Sequence, residues 1–350
     1  MTAKIQKKPV VDKVSRTPKK GVSLDTLAQL VTSPENEALN LDSNTSQDDK
    51  KTLVKRARRK FFTNGLVIGL ANASEKSSTS VLNKSYWNTY HCSSTLQGFQ
   101  DGTIAGKYCK NRWCMVCNAI RTAQSILTYV PVIRSWENPH FCTATRPNVK
   151  APDLEGEIKE LHRIFHLIKQ KIKQQHHRKK IDFQLVGVRK FECTYNAIKD
   201  TYHPHFHIVF QTKDQAIMFM GEWMKRNPTA NSKAQDIRPA DSNSLIELFK
   251  YMTKVISKTG KGNRVIYADA MDVVFNSMRG KRTMQNFGFK LPKLEEKDDS
   301  KVVDKGFATD VLQWQQCCAD WVNVDTGELL TNYIPGEEFK RFVNEKIIVR

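Results

Sequence analysis

The chain has 350 residues, enough for one large or two ordinary domains. Its 56 Lys and Arg against 36 Asp and Glu leave a formal charge of +20 and an isoelectric point near 9.6. That excess points to a polyanionic partner, most simply nucleic acid, because fixed cations displace counterions from phosphates. No run of about 18 apolar residues exists, so a membrane-spanning helix is excluded. The start, MTAKIQKKPVVDKVSRTPKK, has charges but no following apolar core, which argues against a signal peptide. The expectation is a cytoplasmic protein whose eight Cys serve as metal ligands or buried thiols, not disulfides.

Residues 1–50 read as a disordered basic and polar tail, with room for a short helix at Ser23–Val31. A basic, Cys-rich segment over 51–135 opens with the run Lys50 to Lys60, which either touches phosphates or forms a solvated helix face. Over 136–260 the elements alternate. His140–Thr145 reads as a strand, and Leu154, Ile158, Leu161, Phe165, Ile168 and Ile172 mark an amphipathic helix over 153–178. Phe183–Tyr195 and Phe206–Gln211 read as two strands of a hairpin around 196–202, followed by a helix at 214–226 closed by Asn227-Pro228. A short edge strand at 236–238 and a helix at 243–257 complete the order βαββαβ plus one helix. That is the α+β, ferredoxin-like (split βαβ) arrangement, with an antiparallel sheet. Residues 261–350 form a C-terminal region with strand signals and no chemistry to assign; Trp314, Trp321, Cys317 and Cys318 read as core.

The stretch His203-Pro204-His205-Phe206-His207 is the most informative. On a strand His205 and His207 share a face, and two neutral imidazoles side by side are a pair of metal ligands. If the preceding strand pairs across the 196–202 loop, Glu192 joins them as a third. One carboxylate and two imidazoles leave positions open, which suits Mg²⁺ or Mn²⁺ in phosphate chemistry. In the last helix Glu247, Tyr251, Lys254 and Lys258 are spaced to stack along one stripe. Lys254 would stabilise a Tyr251 phenolate that attacks a phosphodiester, giving a phosphotyrosine ester, and Glu247 would activate water or accept a proton. The bland alternatives are a packing tyrosine and a surface ion pair. Cys92, Cys109, Cys114 and Cys117, spaced x16, x4 and x2, suit a structural tetrahedral Zn²⁺ site; an iron–sulfur cluster and unliganded thiols stay open. Lys110, Arg112 and Arg121 around the cluster make it a candidate duplex-binding element. Cys142, Cys193, Cys317 and Cys318 read as buried small apolar residues.

Four stretches together resemble the HUH endonucleases, and within them the rolling-circle replication initiators of small bacterial plasmids. They are Cys109–Asn118, His140–Thr145, Glu192–Asn196 continued by Tyr202–His207, and Glu247–Lys254. The Cys-rich block departs from the family pattern in having Met115 and Val116 where a proline is usual. The resemblance covers about 90–260. It implies nicking of one origin strand, a 5′-phosphotyrosine intermediate on Tyr251, and a free 3′-OH that primes a polymerase. It also implies His205 and His207 as ligands, Glu247 in the terminating hydrolysis, and origin DNA, single-stranded at the nick with duplex nearby, as partner. A host helicase and polymerase would follow, and the setting would be the bacterial cytoplasm. Two other readings stay open: a non-catalytic zinc-stabilised nucleic-acid-binding protein, and a transposase or relaxase using the same chemistry.

Overall fold

The computed structural model describes residues 51–100, 102–250, 255–258, 263–291 and 308–350. The tail at 1–50, with the helix expected at Ser23–Val31, lies outside the described residues, as do Tyr251 and Lys254. The chain enters through a long helix α1 (Lys51–Lys76), turns back through α2 (Asn83–Tyr90), and forms a small hairpin of β1 (Thr95–Gly98) and β2 (Ile104–Gly106). Helix α3 (Met115–Arg134) starts at Cys114, whose Sγ accepts the Cys117 N–H as an N-cap. Next come β3 (His140–Thr145), α4 (Leu154–His177), β4 (Gly187–Asn196), β5 (Thr201–Phe210) and α5 (Lys213–Arg226). Strand β6 (Asp236–Pro239) leads to α6 (Ser242–Phe249), capped by Asp241, whose Oδ1 accepts the Ser244 N–H at 2.8 Å. The remainder runs β7 (Ser257–Lys258), β8 (Arg264–Tyr267), α7 (Ala268–Ser277), β9 (Met284–Phe287), β10 (Asp310–Gln315), β11 (Asp320–Asn323), α8 (Glu337–Glu345) and β12 (Ile347–Ile348).

The fold is α+β, and its two larger sheets are antiparallel throughout. The central sheet has the order β6-β3-β5-β4-β9. Register makes its two faces different. One face carries Phe191, Phe206, Ile208 and Phe210, which pack on Phe165 of α4 and on Phe219 and Trp223 of α5. Each such large apolar side chain contributes roughly 1.5–3 kcal/mol by leaving water. The opposite face changes character along the strands. Phe141, Val188 and Val209 sit opposite one another and are covered by Leu245, Leu248 and Phe249 of α6 and by Ile126, Val130 and Ile133 of α3. One step further, the cross-strand row reads Asp236–Thr143–His207–Lys190–Met284, and the next reads Thr145–His205–Glu192. The helices therefore close the apolar half of this face and leave its polar half for other work.

The second sheet, β11-β10-β1-β2, joins the Cys-rich region to the C-terminal segment for which the sequence offered no chemistry. Trp321 of its edge strand β11 is fully buried, with its indole N–H donating to the Ser93 carbonyl at 2.7 Å. Three expectations need correction. Cys317 and Cys318 are exposed, because they fall in the tight turn between β10 and β11. The run at 51–60 is neither a phosphate-facing nor a solvated face at its end: Lys60 is fully buried, donating to the Tyr90 carbonyl at 2.5 Å and to Ser94 Oγ at 3.1 Å. The helix expected over 243–257 ends at Phe249, with Lys250 already extended (ψ 166°), and Ser257–Lys258 pair as a strand with β8. Lys258 thus leaves the stripe with Glu247. The β-branched Val255 and Ile256 are buried without helical backbone, so tertiary packing overrides a helix-like spacing there.

Candidate functional site

Strands β4 and β5 build the first cluster. Their register sets Glu192 opposite His205 and Lys190 opposite His207, and alternation turns all four to the same face. The ligand atoms of Glu192, His205 and His207 lie within 4.8 Å of one another, and all three residues are buried. His205 donates Nδ1–H to the His203 carbonyl at 3.0 Å, which leaves a lone pair on Nε2. That Nε2 faces His207 Nε2 at 3.1 Å, and Glu192 Oε2 lies 3.6 Å from His207 Nε2. Burial pushes both imidazoles down, His207 to about 2, so both are neutral at physiological pH. Two imidazole nitrogens and one carboxylate oxygen, converging and neutral enough to bind, are a donor set that fits a divalent cation with positions left open.

Two residues the sequence reading passed over complete this cluster. Lys190 is fully buried, and its Nζ donates to Glu192 Oε2 at 2.9 Å and to the Glu247 carbonyl at 3.3 Å. Burial works against the Glu192 charge, but the Lys190 ammonium together with His205 and His207 outweighs it and holds the carboxyl near 2. Glu192 is therefore a shared acceptor. Arg238 of β6 donates to Glu247 Oε2 at 2.7 Å and lies over the Phe141 ring at 4.3 Å. So held, Glu247 brings Oε1 to 3.6 Å from His207 Nδ1. Thr143 Oγ1 stands 3.3 Å from the same Nδ1. The signal for Lys190 was present in the sequence: it precedes Glu192 by two on a strand. Arg238 had no local signal, since only the β3–β6 pairing brings it across. Glu247 thus joins the His pair, whereas Tyr251 and Lys254 fall outside the described residues.

The second cluster draws Cys92 from the turn after α2, Cys109 from the loop after β2, and Cys114 and Cys117 from the start of α3. Their sulfurs stand 3.5 Å (Cys92–Cys117), 3.7 Å (Cys109–Cys117) and 3.7 Å (Cys92–Cys114) apart. A tetrahedron of about 2.3 Å Zn–S bonds requires edges of about 3.8 Å, whereas a disulfide requires about 2.0 Å. Backbone N–H groups of Cys109, Lys110 and Asn111 point at these sulfurs from 3.3 to 3.4 Å, as thiolates need. The Lys60 ammonium is buried close enough for the four sulfurs to favour its charge, against a burial that pushes its pKa down to about 8. Of the cations around this cluster, Lys110 is exposed. Arg112 instead donates to the carbonyls of Met278 (3.0 Å) and Lys281 (3.2 Å), and Arg121 to the Lys110 carbonyl (2.6 Å) and Asn118 Oδ1 (2.9 Å). Both guanidiniums are structural clasps in this arrangement.

Comparison with known proteins places these clusters in a family context. The replication protein family matches residues 103–316, more than half of the chain and well past the last motif read from the sequence. A protein rep of Staphylococcus aureus is 34% identical over 166 residues, covering 42% of this chain and 69% of that protein. A protein rep of Streptococcus pneumoniae serotype 2 is 26% identical over 189 residues, covering 49% of this chain and 57% of its own length. One of Bacillus amyloliquefaciens is 33% identical over 113 residues, 31% of that protein. No solved structure matches the chain.

Proposed function

Because the chain belongs to the replication protein family, we propose that it initiates plasmid rolling-circle replication by nicking one strand of its origin DNA. The observation that carries this reading is the pair of buried imidazoles with Nε2 atoms 3.1 Å apart, beside Glu192 and with Glu247 against His207. We read β3-α4-β4-β5-α5-β6, with its strand order β6-β3-β5-β4, as the ferredoxin-like sheet of an HUH nuclease. His205, His207 and one oxygen of Glu192 would hold Mn²⁺ or Mg²⁺, which when bound supplies Lewis-acid polarisation of the phosphodiester. The mixed nitrogen and oxygen set suits Mn²⁺ at least as well as Mg²⁺.

Tyr251 is the nucleophile in this scheme. Its phenolate oxygen attacks phosphorus, the P–O3′ bond breaks, and the departing oxygen takes a proton to become the priming 3′-OH. The 5′ phosphate is left esterified to tyrosine, so the bond energy is kept for rejoining the strand without a nucleotide cofactor. A phenol with a pKa near ~10 needs help to ionise, and Lys254 three residues on is the cation assigned to that role. Glu247, which Arg238 holds, takes a proton in this scheme from water or from a 3′-OH when the ester is resolved. The Cys cluster takes a structural Zn²⁺, which holds a polar loop that lacks its own core. No helix among the described residues is long and apolar enough to cross a membrane.

The test is a denaturing gel after incubating the protein with Mn²⁺ or Mg²⁺ and single-stranded DNA from its replicon's origin. A covalent protein–DNA adduct that disappears in Tyr251→Phe is the expected result. Absence of adduct and of cleavage with every divalent metal tried would leave the zinc-stabilised binding protein as the better reading.

A further inference from the structure

A groove of about 510 Å³ lies between the Cys109–Cys114 turn and the turn that joins α7 to β9. Among the described residues six cations line it (Lys110, Arg112, Arg121, Arg279, Lys281 and Arg282) and no carboxylate does. Two of the six build the walls. Arg112 ties the cysteine turn to the carbonyls of Met278 and Lys281, and Arg121 fixes the Lys110 carbonyl. The backbone of this groove is set by left-handed residues on both sides, Lys110 at φ 58° and Gly280 at φ 70°. What remains exposed is Lys110, Arg279 and Arg282, and none of them has an ion-pair partner among the described residues. Like charges gathered on a braced frame, with no counter-charge among the described residues, are an electrostatic seat for a polyanion.

The groove also leads somewhere. Met284 and Arg121 line both it and a smaller recess that reaches Lys190 and Lys250. In the central sheet Met284 stands opposite Lys190, and Lys190 opposite His207, so the groove floor is two strand spacings, about 10 Å, from the imidazoles. Its aromatic residues are occupied elsewhere: Trp113 and Phe275 are buried against each other at 5.4 Å, and Trp113 packs on Tyr86. No stacking platform for bases is offered there, which favours backbone contact over base contact.

We propose that this groove seats the phosphodiester backbone of the DNA strand next to the cleaved bond and delivers that bond to the His pair. This rests on the nicking function proposed above and adds to it the path of the substrate. Its contribution is sequence-independent: it raises affinity and aligns the strand, while recognition of the origin lies elsewhere.

The experiment uses the full chain and a short labelled single strand, with binding followed by fluorescence anisotropy over a series of salt concentrations. Arg279→Gln with Arg282→Gln removes two exposed, unpaired cations. The expected result is a salt dependence flatter by about 0.7 per lost phosphate contact, about 1.4 in all. In nicking assays the same variant raises the DNA concentration at half-maximal rate by a larger factor than it lowers the saturated rate. Lys179→Gln with Lys180→Gln, at the exposed end of α4, is the control for charge alone. An unchanged slope in the groove variant, or an equal loss in the control, overturns the proposal. Adduct formation by the unaltered protein reports on the nicking reading independently, so the two can fail separately.

Discussion

The Cys cluster and the His pair both bring metal-binding atoms within 4.8 Å of one another, yet they are built to opposite ends. The cysteines come from three separate segments, a turn, a loop and the start of α3, number four, and are met by backbone N–H groups. Such a set is saturated once a tetrahedral ion is bound, so its output is the relative position of the segments that supply it. The histidines and Glu192 come from two adjacent strands of one sheet, whose register already fixes them. They number three, and charged side chains crowd them: Lys190 on one flank, Glu247 with Arg238 on the other. The lesson is that convergence alone does not assign a role. Donor count and the rigidity of the supporting elements distinguish a closed four-donor set from an open three-donor one.

The sharpest way to break this contrast is Cys114→Ser. Loss of a buried thiolate from a four-sulfur site should abolish zinc retention and destabilise the chain by about 5 kcal/mol or more. Metal content after dialysis and urea unfolding measure both, and a stable, zinc-retaining variant would erase the distinction. His207→Ala should do the reverse. Nicking falls about 10³-fold, equivalent to about 4 kcal/mol of barrier, while the unfolding midpoint moves little. Single-turnover rates beside a melting curve check this.

Lys190→Met probes the buried Lys–Glu pair of the His site. It leaves the buried Glu192 without its ammonium and should cost about 3 kcal/mol at neutral pH. Adding Glu192→Gln should restore part of that, because the unpaired charge is then gone. A double-mutant unfolding cycle reads the coupling.

The smallest expected effect lies on the other face of the sheet. His162 accepts a hydrogen bond from Arg189 at 3.1 Å, and burial, helped by the Arg189 charge, pushes its pKa down to about 3. The unfolded chain binds this proton below about 6.5 while the folded chain does not. Stability therefore declines as pH falls from about 6.5 toward 3 and is unaffected above that window. In His162→Gln the decline should be shallower by up to about 1.4 kcal/mol per pH unit, which unfolding at several pH values will show. A slope identical to that of the unaltered chain would mean the histidine titrates freely in the fold.

Much of the central sheet was legible because its periodicities are clean. The strand at His140–Thr145 is found with those bounds, and the 4-3-4 spacing from Leu154 to Ile172 is the buried stripe of α4. Strand pairing across the 196–202 loop was enough to set Glu192 beside His205. The spacing of Leu245, Leu248 and Phe249 found α6, but Val255 and Ile256, which continued the pattern, are buried on a non-helical segment. Periodicity reports burial, and burial alone does not say which backbone delivers it. The exposed Cys317 and Cys318 failed for a related reason: residue type suggested core, and a hairpin turn decided otherwise.

By itself the sequence determined the chemistry on offer: two imidazoles on alternate strand positions, a spaced quartet of thiols, an acidic residue four before a tyrosine, and a surplus of cations. These are local properties, set by residue type and by the period of a strand or helix. Tertiary structure decided which charges meet. It sent Lys60 into the interior, gave Arg112 and Arg121 backbone carbonyls as partners, and carried Arg238 across the sheet to Glu247. Coulomb energy and desolvation depend on distance and burial between groups remote in sequence, and only the folded chain fixes those.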